Sequence, residues 1–413
     1  MPQVNKIRSA RSEKLGGNTA PPSPARLRAA LTVFFALDGF LFAGWVVRIP
    51  AIKHQTGASA STLGLALLGV SAGAVITMML TGSLCRRYGS HGVTVACGVL
   101  LSLSIALPAQ MASALTLGLV LLLFGAAYGG LNVAMNSAAV DLIAALRRPV
   151  MPSFHAAFSF GGMAGAGLGG LVAGSLSPAA HLFALTGLGL LVTAVTAPVL
   201  LRARPPASPA SPAQERPADA PEQPKGMGAH ARRIVVLFGV IALCTAYGEG
   251  ALAEWGALHL SQDLGAAPGL AAAGYSVFAL TMAIGRLTGT ALLERFGQTR
   301  TLVAGGATAA AGMLLGALGP AVWLTLLGFA VAGLGLANIF PVAVGRAGAL
   351  AGPSGVAAAS TLGYGGMLLG PPVIGFLADW ISLPVALTTV TLLAAVAAVL
   401  GWTARNVGEH VNG

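Results

Sequence analysis

Only 12 of the 413 residues are Asp or Glu, and three of these acids, Asp38, Glu249 and Glu254, fall well inside long apolar runs. A charged side chain at the centre of a membrane helix costs about 2.5 to 3.5 kcal/mol on insertion scales, so an acid there faces a partner or a water-filled path. Asp38 shares a helix face with Phe42 and Trp45, at spacings of four and seven residues. It is expected to act as a proton carrier or a solute ligand, the alternative being an inter-helix bond or cap. A carboxyl group that takes a proton on one side and releases it on the other couples solute movement to proton flow. Glu249 is the deeper acid of its run and a second candidate for that role. Glu254 is a gate candidate whose position also lets it reach the membrane interface.

Asn132 and Asn136 are four residues apart, hence on one helix face, and Asn338 occupies a comparable place later in the chain. Amides offer both donors and acceptors to a hydroxylated solute, or to each other between helices. The expected solute site is therefore Asp38, Trp45, Asn132, Asn136, Glu249 and Asn338. Arg48 either snorkels to the interface or attracts an anionic group. Arg286 is expected to pair with Glu294 on its own helix.

These residues need a scaffold, and composition says which. The chain is 55% hydrophobic and 8% charged, against about 25% charged in soluble domains. Mean hydropathy is +0.81. The apolar runs read 29–49, 62–84, 92–109, 114–141, 153–176, 181–201, 234–258, 270–292, 301–318, 321–346, 356–378 and 384–403. Each suits a membrane helix of about 20 residues, and none shows the alternation of an outer-membrane barrel. The expected fold is an all-α membrane protein of twelve transmembrane helices in two six-helix bundles, 29–201 and 234–404. Residues 1–28 read as a disordered basic tail, the Pro-rich stretch 202–233 as a cytoplasmic linker, and 405–413 as a cytoplasmic tail.

With the amino terminus inside, 20 of 23 basic residues fall on the cytoplasmic side, which predicts both termini in the cytoplasm. Anionic lipid thus accounts for the net charge of +11, and nucleic acid is not an expected partner. Cys85, Cys97 and Cys244 lack metal spacing, so no metal or disulfide framework is expected.

The halves repeat. Phe160-Gly161-Gly162-Met163 recurs as Tyr364-Gly365-Gly366-Met367, and Trp45 recurs as Trp255. Parallel repeats place a site at mid-membrane between them. Gly161, Gly165 and Gly169 form a small-residue stripe for close helix approach. Pro371 and Pro372 free the carbonyls of residues 367 and 368, which predicts a kink or local unwinding. Two enzyme-like patterns carry no chemistry here. Gly165-Ala-Gly167-Leu-Gly169-Gly170 lacks the preceding strand of a dinucleotide site, and Gly69-Val-Ser71-Ala-Gly73 lacks a strand-turn-helix context. No enzyme activity and no cofactor are expected.

Six plus six helices around a polar linker resembles the major facilitator superfamily. Gly82-Ser-Leu-Cys-Arg86-Arg87-Tyr-Gly89 is similar to that family's signature loop, with Arg86 where the acid belongs; Glu294-Arg295-Phe296-Gly297 is the second-half copy. The resemblance implies conformational roles for Arg87, Glu294 and Arg295, and it leaves the first-half latch without its acid. Arg48-Ile-Pro50-Ala-Ile-Lys53, Met135-Asn136 and Phe154-His155-Ala156 resemble the MosC-like bacterial inner-membrane branch. That resemblance makes His155 a gate or relay candidate and implies a polar, sugar-like or inositol-like solute.

The expectation is a monomeric secondary transporter, working by alternating access with protons. A proton-driven exporter and a non-transporting sensor are the alternatives.

Overall fold

The computed structural model describes residues 22–146, 150–203 and 229–405. Most of the basic tail and of the Pro-rich linker, Arg147, Arg148 and residues 406–413 lie outside the described residues. Among the described residues, twelve membrane helices follow one another: α1 Pro24–Val46, α2 Ala60–Tyr88, α3 Ser90–Gln110, α4 Ala114–Leu146, α5 Met151–Val172, α6 Pro178–Arg202, α7 Ala231–Asp263, α8 268–296, α9 298–318, α10 Val322–Gly352, α11 Ser354–Trp380 and α12 Leu383–Thr403. No strand occurs among the described residues. Large apolar side chains such as Met79, Leu115 and Leu171 stand exposed on the surface, where lipid is their solvent.

Local chemistry sets the helix ends. Ser23, Ser59 and Ser177 cap α1, α2 and α6, each Oγ accepting a first-turn amide, and Pro24 and Pro178 follow at the first helical position. α1 therefore begins at Pro24, five residues before the apolar run from 29. Gly89 (φ 84°) and Gly297 (φ 75°) close the two copies of the signature loop in a backbone region that only glycine enters without strain.

Within each half the repeat is visible in packing. α1 lies on α5 and, correspondingly, α7 lies on α11; α2 lies on α4 as α8 lies on α10. A methyl group at Gly161 would collide with the carbonyl oxygen of Ala36, and one at Gly366 with that of Leu243. The glycine stripe thus brings backbones together inside each half. The halves meet along two further seams, α5 against α8 and α2 against α11.

The unwinding expected at Pro371 and Pro372 does not occur. Non-helical dihedrals are confined to Ala351 and Gly352, at the junction of α10 and α11. A neighbour makes this possible: Ser71 Oγ on α2 donates to the freed Met367 carbonyl at 3.0 Å, as helices in lipid tolerate proline when a side chain satisfies the released acceptor.

Candidate functional site

A cavity of approximately 840 Å³ lies between the halves. Phe35, Tyr128, Asn132, His155 and Phe158 contribute from the first half, and Glu249, Arg286, Asn338, Phe340 and Tyr364 from the second. It reaches Leu293, Gln298 and Arg346, beside the Arg-rich loops; this is called the basic end. A smaller cavity of approximately 150 Å³ continues toward the opposite, far end, and shares Tyr128, Asn132, Phe158, Glu249, Tyr364 and Met367 with the first.

Of the expected solute residues, Asn132, Glu249 and Asn338 line the large cavity together. Asn136 does not line either cavity; its amide donates back to the Asn132 carbonyl at 2.8 Å. Asn338 is held by donating to the Gly285 carbonyl at 2.8 Å. Trp45 is buried within its own half beside Phe124, with ring centroids 6.3 Å apart. Asp38 is fully buried, and neither carboxyl oxygen has a hydrogen-bond partner among the described residues. His155 lines the large cavity with its ring edge-on to Phe35, centroids 5.6 Å apart.

Arg286 does not pair with Glu294. Its guanidinium donates to Glu249 at 3.2 and 3.5 Å, across the α7–α8 contact and inside the cavity. Eight residues along one helix is about 12 Å of rise, too far for the intrahelical pair, whereas Glu249 faces Arg286 directly. Glu254 is likewise buried rather than interfacial; it lines the smaller cavity, and its Oε2 has no partner among the described residues.

Arg48 lies between α1 and the short helix Ile49–Thr56 and is buried. It donates to His181 Nδ1 at 2.8 Å and to the carbonyls of Val172, Ala173 and Leu176 at 3.1 to 3.4 Å. It therefore closes the carboxyl end of α5, where a cation also meets the negative pole of the helix. Burial draws its pKa below the usual guanidinium value. Arg87, Glu294 and Arg295 are exposed at the basic end, Arg87 over the Tyr88 ring and Arg295 over the Phe296 ring.

At the far end the halves are joined. Asp379 on α11 accepts the first two amides of α2, Ala60 N–H at 2.9 Å and Ser61 N–H at 2.7 Å. Lys53 Nζ donates to Gln262 at 3.3 Å, and Ser276 Oγ to the Met163 carbonyl at 3.4 Å. The cavity is thus continuous to the basic end and sealed at the far end.

Sequence reasoning missed Arg286 as a cavity residue, and it missed the aromatic lining. Tyr128, Tyr275 and Tyr364, three of the five tyrosines in the chain, face these cavities. Their signal was present: a phenol in the middle of an aliphatic span has a hydroxyl that needs water or a partner.

Two repeated helical bundles enclosing a polar, aromatic-lined cavity at their interface define a membrane transporter. The sequence model of the Major Facilitator Superfamily matches residues 29–256 and 238–412, and the chain belongs to that family. It is 31% identical over 386 residues to an uncharacterized MFS-type transporter of Yersinia pestis, covering 92% of this chain and 96% of that one. It is 28% identical over 387 residues to the membrane protein MosC of Rhizobium meliloti, covering 93% and 91%. Among solved structures it is similar to a bacterial homolog of the human lysosomal transporter Spinster in an inward-facing, unoccupied conformation. That likeness has a TM-score of 0.73 at 15% identity, over 94% of this chain and 98% of the other, and it shows the fold. The chain is a multi-pass membrane protein of a family of secondary transporters.

Proposed function

We propose that this transporter moves a small polar, sugar-like or inositol-like solute across the bacterial inner membrane by alternating access, coupled to protons. The basic end faces the cytoplasm, with both termini inside, and the unit that works is a monomer. The observation that carries this reading is the central cavity, bounded by both halves, continuous to one end and sealed at the other. Rocking the halves about the α2–α11 and α5–α8 seams would exchange the sealed end for the continuous one.

In this reading Asp38 carries the proton and is neutral in the present conformation. The support is geometric: a carboxylate with both oxygens unpartnered and fully buried has nothing to offset its desolvation. Asn132, Glu249 and Asn338 orient the solute. The test is flux of labelled sugars and inositols into liposomes under an imposed pH gradient, with wild type and Asp38→Asn. Gradient-driven accumulation that becomes mere equilibration in the variant is the expected result. Accumulation unchanged in Asp38→Asn removes Asp38 from coupling, and absence of flux for every solute favours the sensor reading.

One observation favours a second reading, export of amphiphilic compounds. Eight aromatic rings line the two cavities, a wall that suits flat apolar solutes as well as the apolar face of a sugar ring. Competition of labelled sugar flux by flat, uncharged apolar dyes separates the two.

A further inference from the structure

The smaller cavity has a chemistry of its own. Its lining includes six aromatic rings, Phe42, Tyr128, Phe158, Tyr275, Phe278 and Tyr364, and two carboxylic acids, Glu249 and Glu254, and among the described residues it includes no Lys, Arg or His. Four of the rings form a continuous wall: Phe42 stacks on Tyr128 at 5.1 Å between centroids, Tyr275 meets Phe42 at 6.4 Å, and Phe278 meets Tyr275 at 6.2 Å. Aromatic faces are negative and attract cations within about 6 Å of the ring centre, most strongly where water is excluded.

The two acids are not equivalent. Glu249 already has a cation, Arg286. Glu254, 7% exposed, has an unpartnered Oε2 among the described residues and is the acid left to balance a positive charge brought in from outside. A wall of rings around one unpaired carboxyl group is a receptor for an organic ammonium, the rings replacing its hydration shell and the carboxylate, whose burial only an incoming cation offsets, serving as its counter-ion. A neutral hydroxyl would fill the same space without using either feature.

We infer that the smaller cavity is an ammonium subsite, and that the transported solute carries a protonated or quaternary amine whose nitrogen sits against Glu254 while its polar body occupies the larger cavity. The inference rests on the reading of these cavities as the solute site, since the two share six lining residues. It makes Glu254 a solute-binding residue.

The test uses purified full-length protein and two probes, tetramethylammonium as a minimal cation and glucosamine against glucose as a pair differing by ammonium for hydroxyl. Binding is read by calorimetry and by thermal stabilisation. The expected result is saturable tetramethylammonium binding and a preference for glucosamine over glucose of about tenfold or more. Glu254→Gln should weaken both cations about tenfold or more and reduce the preference for glucosamine over glucose. Tyr275→Leu keeps the acid and removes one ring, and it should also weaken tetramethylammonium; it decides the matter if the first variant is not monodisperse. No saturable tetramethylammonium binding, or equal cation affinity in wild type and Glu254→Gln, overturns the inference. Liposome flux keeps the two readings apart: flux of neutral sugar with no ammonium preference sinks the subsite and keeps the transporter, whereas ammonium binding without any flux does the reverse.

Discussion

The far-end contact of Asp379 makes a quantitative demand on the conformational equilibrium. Its carboxylate caps the first two amides of α2 from the other half of the molecule, so the contact exists only while that end is closed. Losing an N-cap costs about 0.5 to 2 kcal/mol, and a negative charge at a helix amino end contributes about 0.3 to 1 kcal/mol. Asp379 is exposed, which places the combined effect of Asp379→Ala near the lower half of that range, about 1 to 2 kcal/mol. That amount shifts the closed-to-open ratio at the far end by about five- to thirtyfold. Asp379→Asn keeps one acceptor oxygen and should fall between. Spin labels at His54→Cys and Gln262→Cys, one on each half, read the separation by pulsed electron resonance in protein whose three cysteines have been replaced. The long-distance population should grow in Asp379→Ala. Ser177 provides the control, because its Oγ caps α6 at Ala180 from within the same half. Ser177→Ala should lower thermal stability and leave the distances alone. Identical distance distributions in Asp379→Ala and wild type would refute the argument and reduce the contact to a local cap.

Two further outcomes are expected. Arg48→Ala leaves the carbonyls of Ala173 and Leu176 and His181 Nδ1 without their donor, while the Val172 carbonyl keeps the amides of Ser175 and Leu176, and should cost about 3 kcal/mol or more; thermal melting in detergent should drop sharply and Arg48→Lys should recover only part. Altered flux with unchanged melting would instead make Arg48 a gate. For the Glu249–Arg286 pair, whose side chains are 28% and 32% exposed, a double-mutant cycle with Glu249→Gln and Arg286→Gln should return a coupling energy of about 1 kcal/mol, and strict additivity would show that the two do not interact.

The helices were legible because lipid imposes one requirement on every span, an apolar surface with its backbone bonds closed internally. Helix ends were legible only approximately, since apolar runs mark lipid contact whereas the caps at Ser23, Ser59 and Ser177 decide where helices begin. Partners across helices were harder. The eight-residue spacing to Glu294 argues against that pair, but nothing in the sequence points from Arg286 to Glu249; that partner is set by the approach of α7 to α8. The fate of Pro371 was hidden for the same reason, because Ser71 lies 296 residues upstream of the Met367 carbonyl it satisfies.

The two deepest acids show how packing assigns unlike settings to like residues. Asp38 on α1 is flanked at three residues before and four after by Phe35 and Phe42, and Glu249 on α7 is flanked at the same spacings by Ala246 and Ala253. All four flanking residues line the cavities, so both acids sit on helix faces turned toward the interior of the transporter. Rings stand on either side of Asp38 along the helix, stacked onward against Phe154 and Tyr128 at 5.2 and 5.1 Å, and Asp38 is fully buried. Two methyl groups leave Glu249 open to the cavity and to Arg286. In the proposed reading, Glu249 meets the solute directly, while Asp38 exchanges a proton with the cavity when the rings beside it part. A carboxyl group buried beside rings is suited to a proton, which needs only a transient opening, and an open ion pair is suited to a solute, which needs standing room. The residue types were in the sequence; the fact that both faces turn inward required the fold.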